Sequence, residues 1–264
     1  MVGIIIIIAV FLFVVGLLEF GLYDTIIAFK VGIIVLIVGV VLKAVVKRVL
    51  RYRREKEHEQ SEYYKSTGRS LKYIEHDKGT YGEYCTYQEL RSFEDVGAKF
   101  LFNIYIPKED GSTTEIDLLM ISRKGIFVYE SKNYSGWIFG SQNNRYWTQT
   151  LPSVGYSLKS RFYNPVKQNK NHIKHLESLC GKLDPYSLIV FSERCELMDV
   201  WHGDNRTKVI KRNEVYRVTK DLYDQSSLYI SDEIINCVYE KLKVYCNVSE
   251  QQKEEHINRI KNKY

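Results

Sequence analysis

Residues 114–133 read TEIDLLMISRKGIFVYESKN. Two runs rich in β-branched and aromatic residues, 115–121 and 126–132, flank the turn-type tetrapeptide Ser-Arg-Lys-Gly, which is the pattern of a β-hairpin. Closing the hairpin symmetrically, with Ile121 facing Ile126, predicts the register by counting: Asp117 lies opposite Glu130, and Glu115 opposite Lys132. A two-residue turn at Arg123 and Lys124 gives the same pairing. Directly opposed residues have Cβ atoms about 5 Å apart, and alternate residues share a face. Asp117, Glu130 and Lys132 are therefore expected on one patch.

Such a patch is costly. Like charges directly opposite each other destabilise a sheet, and the apolar flanks (Ile116, Leu118, Met120, Ile126, Phe127, Val128) predict buried, central strands. A buried carboxylate persists when it is paired, protonated or bound to a metal. A hard cation such as Mg²⁺ takes carboxylate oxygens and keeps several waters, and a lysine two residues along the strand can hold one of those waters. The same tripeptide also suits a strand-end salt bridge in which Lys132 neutralises one acid.

The N-terminus sets the class of protein. Residues 2–18 (VGIIIIIAVFLFVVGLL) are uninterrupted and apolar, and residues 26–46 form a second run broken only by Lys30 and Lys43. About 17–20 apolar residues span a bilayer, so the two runs predict a transmembrane hairpin turning over residues 18–25. A single span behind a signal anchor is the alternative. The basic cluster KAVVKRVLRYRR at residues 43–54 places both termini, and the soluble part, on the cytoplasmic face. It also suits anionic headgroups, or simply a stop-transfer signal. Residues 51–67 are charged, with no apolar stripe, and read as a juxtamembrane linker.

Residues from about 70 onward number close to 195, enough for one α/β core and short for two. The balance of 38 basic to 32 acidic residues is mild and does not by itself indicate nucleic acid. Five cysteines without Cys-x-x-Cys spacing suit a reduced compartment and indicate neither zinc nor disulfides.

Helical spacing starts at Gly82 and runs through Tyr84, Tyr87, Leu90 and Phe93 to Gly97, with Glu83 in the first turn. Residues 99–106 (KFLFNIYI) read as a strand. Residues 137–139 and 145–148 read as short strands, and their aromatic residues, with Tyr134, are either base-stacking platforms or a packed sheet edge. Within residues 161–179, Asn164-Pro165 marks the start of a helix that continues to Leu179 and carries Gln168 and His172 on one face. His172 and His175 have possible metal spacing but no third ligand nearby. Lys159, Arg161, Lys167, Lys170 and Lys174 make this segment the most basic of the soluble part, as phosphate contacts or as a solvated face. Residues 186–192 read as a strand, 208–211 and 214–218 as weaker strands, and 232–246 as a helix.

Several features fall in one order: Gly79-x-x-Gly82-Glu83, Glu115-Ile-Asp117, the decapeptide from Lys124 to Asn133, Ser135-Gly-x-Ile138, Trp147, and Asn164-Pro-x-x-Gln168-Asn169. The series resembles the NERD (nuclease-related) domain of the PD-(D/E)xK, restriction-endonuclease-like superfamily. The resemblance implies an α/β fold whose central mixed sheet is flanked by helices, here preceded by two transmembrane helices. It implies Asp117 and Glu130 as ligands of Mg²⁺ (or Mn²⁺) and Lys132 as the residue positioning the attacking water. Glu83 becomes an additional acidic member and Gln168 a later contribution to the same pocket. The implied chemistry is hydrolysis of DNA or RNA phosphodiesters at the cell membrane. A silent module that binds nucleic acid or a protein there, and a purely structural membrane protein, are the competing readings. The chain then divides into a hairpin (1–46), a linker (47–77), the nuclease-like domain (78–225) and a C-terminal helical extension (226–264).

Overall fold

The structure, a computed structural model, describes residues 14–15, 21–246, 248, 251, 254 and 258. The chain divides into two compact units, Met1–Glu57 and His58–Tyr264. Helix α1, Gly21–Gln60, contains the second apolar run, and Ile26–Gln60 is long and apolar enough to cross a membrane. The first run, residues 2–18, lies outside the described residues except for Val14 and Val15, which are helical. One such helix, rather than two, is therefore present among the described residues. The turn expected over residues 18–25 gives way to helix from Gly21 onward, with Asp24 favourably placed in the first turn of the helix dipole.

In the second unit, short helices α2 (Glu62–Thr67) and α3 (Leu71–His76) precede α4 (Lys78–Leu90), which Asp77 caps by accepting the Thr80 amide. Residues expected to be linker thus enter the core: Tyr63 and Ile74 are fully buried. The central sheet has the order β1-β2-β3-β7-β9: β1 Lys99–Pro107, β2 Thr113–Ser122, β3 Gly125–Lys132, β7 Tyr186–Phe191 and β9 Thr207–Lys211. β1, β2 and β3 pair antiparallel, and β3, β7 and β9 pair parallel. This is a mixed α/β sheet flanked by helices, as a restriction-endonuclease-like fold requires. Ile121 does face Ile126, and Ser122 faces Gly125.

Tyr84, Tyr87 and Leu90 of α4 cover one face of the sheet, against Phe100, Phe102, Leu118, Met120, Phe127 and Tyr129. The other face packs Leu101, Leu119, Ile121 and Val128 against Leu176 of α5 (Pro165–Cys180) and against Ile235 and Leu242 of α7 (Asp232–Lys243). The C-terminal extension therefore completes the core. Residues 214–218, expected as a strand, instead pass from a 3₁₀ turn, Arg212–Glu214, into α6, Val215–Gln225. Val215, Thr219 and Leu222 bury its inner face at helical spacing.

A second sheet has the order β6-β5-β4-β8: β4 Gly136–Gly140, β5 Tyr146–Ser153, β6 Tyr156–Tyr163 and β8 Cys195–Val200. β6 and β8 carry no periodic apolar signal, because β6 is an exposed edge. Trp147 is fully buried and stacks on Phe191 with ring centroids 6.0 Å apart. It is a core residue rather than a platform for bases. Gly140 makes that possible, since a Cβ there would stand 2.1 Å from the indole ring.

Candidate active site

β2 and β3 separate at the acidic patch. The last pair of their ladder is Leu118 with Tyr129, whereas β3 stays paired with β7 as far as Lys132 and Phe191. In the gap, Asp117 Oδ2 accepts the Ser131 amide at 2.8 Å. Lys132 Nζ lies 2.6 Å from Glu130 Oε1 and donates to Gln168 Oε1 at 3.2 Å. Glu130 Oε2 is 3.1 Å from His172 Nε2, and His172 Nδ1 is 2.6 Å from the Thr114 hydroxyl. An ionised carboxylate only accepts, so Nε2 carries the proton; in the neutral ring Nδ1 then accepts from Thr114.

The expected Asp117–Glu130 pair falls just past the end of the ladder, and electrostatics divides the two carboxylates. Burial would raise the pKa of Glu130, which is 1% exposed, but Lys132 and His172 outweigh it and hold the carboxyl below its usual range. For Lys132 burial opposes the charge, yet Glu130 and Asp117 raise its pKa above that of a free lysine. Asp117 is pushed well above the usual carboxylate range, first by burial and then by Glu130 and Glu83. Glu130 and Lys132 form the settled ion pair. Asp117 is the group that takes a proton or a cation.

Glu83 joins a neighbouring cluster. Asn103 Nδ2 donates to Glu83 Oε2 at 2.9 Å and to Glu115 Oε1 at 3.4 Å, while Asn103 Oδ1 accepts from Arg69 at 2.8 Å. Burial and Glu115 push the Glu83 carboxyl up to about 7. The position of Glu115 corrects the hairpin expectation, which set it across from Lys132. The strand faces switch at Asn103 and Asp117: Phe102 and Leu118 pack on the α4 side, but Ile104 and Ile116 on the α5 side. Glu115 accordingly meets Asn103.

Two motifs position these side chains. Gly82 lets α4 approach β3, where a Cβ would stand 2.8 Å from Asn133 Cβ; Glu83 follows it. Asn164 caps α5 by accepting the Val166 amide at 2.9 Å, and it donates to the Ser141, Gln142 and Asn144 carbonyls. Asn169 then donates to the Val128 carbonyl at 3.0 Å and to Ser187 at 2.9 Å. With the helix tied to β3 in this way, Gln168 reaches Lys132. Sequence reasoning overlooked Arg69, Asn103 and Thr114, and it took His172 as a helix-face neighbour of Gln168 and as half of a His172/His175 spacing, not as the partner of Glu130. The one available signal was Asn103 itself, a lone polar residue inside KFLFNIYI.

Asp117, Lys132, Gln168 and His172 open onto a cleft of about 1610 Å³ that Glu115 also lines. Among the described residues no group of three or more His, Cys, Asp and Glu is placed to hold a metal, so a closed, all-protein cage is not present there. The donor set does suit Mg²⁺, which binds through one or two carboxylates plus water and substrate phosphate. Asp117 Oδ1 makes no hydrogen bond among the described residues, and its raised proton affinity is the cost a cation would relieve.

Residues 78–192 match the family described as NERD, the nuclease-related domain. That matched stretch contains Glu83, Asp117, Glu130, Lys132 and Gln168. An uncharacterized protein of Bacillus anthracis is similar: it is 29% identical over 195 residues, which are 73% of this chain and 88% of the relative. No solved structure matches the chain.

Proposed function

We propose that this protein is a membrane-tethered, Mg²⁺-dependent nuclease that hydrolyses phosphodiester bonds of DNA or RNA. The observation that carries the reading is the Lys132 ammonium, fixed between Glu130 and Gln168 beside the incompletely bonded Asp117. An ammonium has three donors; two are used here, and the third is available for the attacking water. Because its partners keep Lys132 charged, it orients the water and stabilises the developing negative charge instead of taking the proton. Gln168 sets the direction of the ammonium, and His172 keeps Glu130 ionised.

Asp117 and Glu130 are the residues that would hold the Mg²⁺ or Mn²⁺, which when bound polarises the phosphate and acidifies bound water. In the test, the purified full chain, Asp117→Asn and Lys132→Met are compared on DNA and RNA with Mg²⁺. Loss of about 10²-fold or more in rate is expected for each variant, with unchanged circular dichroism. Equal cleavage by all three preparations would overturn the proposal.

For location, the reading is a cell-membrane protein with two spans and a cytoplasmic soluble domain, supported by the apolar run of the helix and by the Lys and Arg residues in the C-terminal part of that helix. Protease protection of right-side-out vesicles tests it: cleavage of the soluble domain from outside would overturn that orientation. One observation favours a silent binding module instead. Glu130 is already paired with the Lys132 ammonium and hydrogen-bonded to His172, so its charge is compensated with nothing bound. Tight metal binding without turnover would select that reading.

A further inference from the structure

The same cleft indicates which form of nucleic acid it accepts, an inference that rests on the nuclease-related reading above. At about 1610 Å³ the cleft exceeds the roughly 300–1,000 Å³ of small-molecule sites, so it suits a polymer. Its walls are basic: Lys108, Arg161, Lys167, Lys170, Lys174 and Lys182 line it, against Asp110 and Glu177 away from the acidic floor. Glu177 already accepts the Leu183 and Asp184 amides. Arg161, Lys170 and Lys174 make no ion pair or side-chain hydrogen bond among the described residues, so their charge is available to an anion.

The lysines of α5 are ordered in a row. Lys167, Lys170 and Lys174 follow the three- and four-residue steps of one helix face. Seven residues of α-helix rise about 10 Å, the length of about three nucleotides of a stacked strand at about 3.4 Å each. The row flanks Gln168 and so leads to Lys132.

Aromatic rings form the wall beyond Lys132. Tyr134 and Phe162 meet edge to face, with centroids 4.7 Å apart, and Tyr163 follows at the end of β6; all three line the cleft and are partly exposed. Phosphate contacts alone suit either a duplex or a single strand. Ring faces beside the reacting position are useful only to unpaired bases, because a duplex keeps its bases stacked inside. A basic track with adjoining aromatic faces is the arrangement for single strands.

We infer that the cleft binds single-stranded nucleic acid, with its backbone along the Lys167–Lys170–Lys174 row of α5 and its bases against Tyr134, Phe162 and Tyr163.

The test uses the full-length chain in detergent micelles, carrying Lys132→Met so that bound strands stay intact. Fluorescence anisotropy is measured with labelled twelve-nucleotide oligothymidylate, oligouridylate, an abasic strand of the same length and a twelve-base-pair duplex. Expected results are at least tenfold tighter binding of a base-bearing single strand than of the duplex or the abasic strand, whether DNA, RNA or both. Lys170→Ala with Lys174→Ala should weaken binding of every strand and flatten its salt dependence. Tyr163→Leu should cost about fivefold or more for base-bearing strands only, the lower end of the effect of one stacking contact. Duplex or abasic strand bound as tightly as the base-bearing strand, or no binding at all, would overturn the inference. Cleavage by the unsubstituted chain is scored separately. Cleavage of duplex alone overturns this inference and leaves hydrolysis standing, whereas single-strand binding without cleavage does the reverse.

Discussion

Asn103 and Asp117 are the two positions that the β1–β2 ladder skips, between the pairs Phe102–Leu118 and Ile104–Ile116, and the φ of 49° at Asn103 puts it in the left-handed region. Asparagine reaches that region at lower cost than most residues. The turn in the backbone changes which face each neighbour covers, and it aims the Asn103 amide between Glu83 and Glu115. The acidic patch therefore separates into two groups. Glu130 is held by Lys132 and His172, whereas Glu83 and Glu115 share an amide backed by Arg69.

Asn103→Ala should destabilise the protein by about 2–4 kcal/mol. It removes hydrogen bonds to charged groups, about 1.5–3 kcal/mol, and it places alanine in a left-handed conformation, about 1 kcal/mol. Asn103→Gly loses only the hydrogen bonds and should cost less. Urea midpoints of the full chain in micelles measure both; an Asn103→Ala midpoint equal to that of the parent protein contradicts the role assigned to this amide.

Glu83 gives stability a pH dependence of known sign. Its carboxyl stands at about 7 in the folded protein against 4.5 as the ordinary value, so the folded state holds the proton more tightly. That contribution is complete below about pH 4.5 and is lost as pH rises through 7. Glu83→Gln should equal the parent near pH 4.5 and exceed it at pH 8, by about 1–3 kcal/mol at about 1.4 kcal/mol per pKa unit with allowance for solvent screening. Melting temperatures across pH 4.5–8 in EDTA report this. Parallel curves would rule out the raised carboxyl.

On the proposed reading His172 would act on a bound metal through Glu130, which it meets at 3.1 Å. Replacing it by Ala leaves Glu130 Oε2 and the Thr114 hydroxyl without their partner, and groups in that position typically tune metal affinity by about 10–100-fold. Calorimetric titration of Mg²⁺ and Mn²⁺ should show that loss in His172→Ala and complete loss in Asp117→Ala. Parent-like affinity in His172→Ala would mean that Lys132 alone governs Glu130.

Two glycines of the Gly-x-x-Gly-Glu motif should respond with opposite signs. Gly82→Ala puts a Cβ 2.8 Å from Asn133 Cβ and forces α4 away from β3, at about 1–3 kcal/mol for overpacking. Gly79→Ala meets nothing closer than Asp77 Oδ1 at 3.4 Å and should gain about 0.5–1 kcal/mol through lower chain entropy. Thermal melts of the two variants should move apart; a shared direction would contradict the close approach at Gly82.

The sequence alone determined what local patterns encode. Strand alternation and a Ser-Arg-Lys-Gly turn set the β2–β3 register, because one face must be buried and a one-residue slip would invert it. Asn164-Pro165 placed the start of α5, since capping and a fixed φ are short-range effects. An apolar helix of membrane length was equally legible. Tertiary structure decided the rest. β6 and β8 lack an apolar rhythm of their own and exist through pairing with β5 and β4. α6 became a helix where β-branched residues suggested a strand, because packing against the sheet overrode a weak propensity. The contacts of the site are likewise non-local. His172 meets Glu130 across 42 residues, and Asn103 meets Glu83 across 20. Neither pairing has a spacing to count, since each exists only once strands and helices have been brought together by burial of the core.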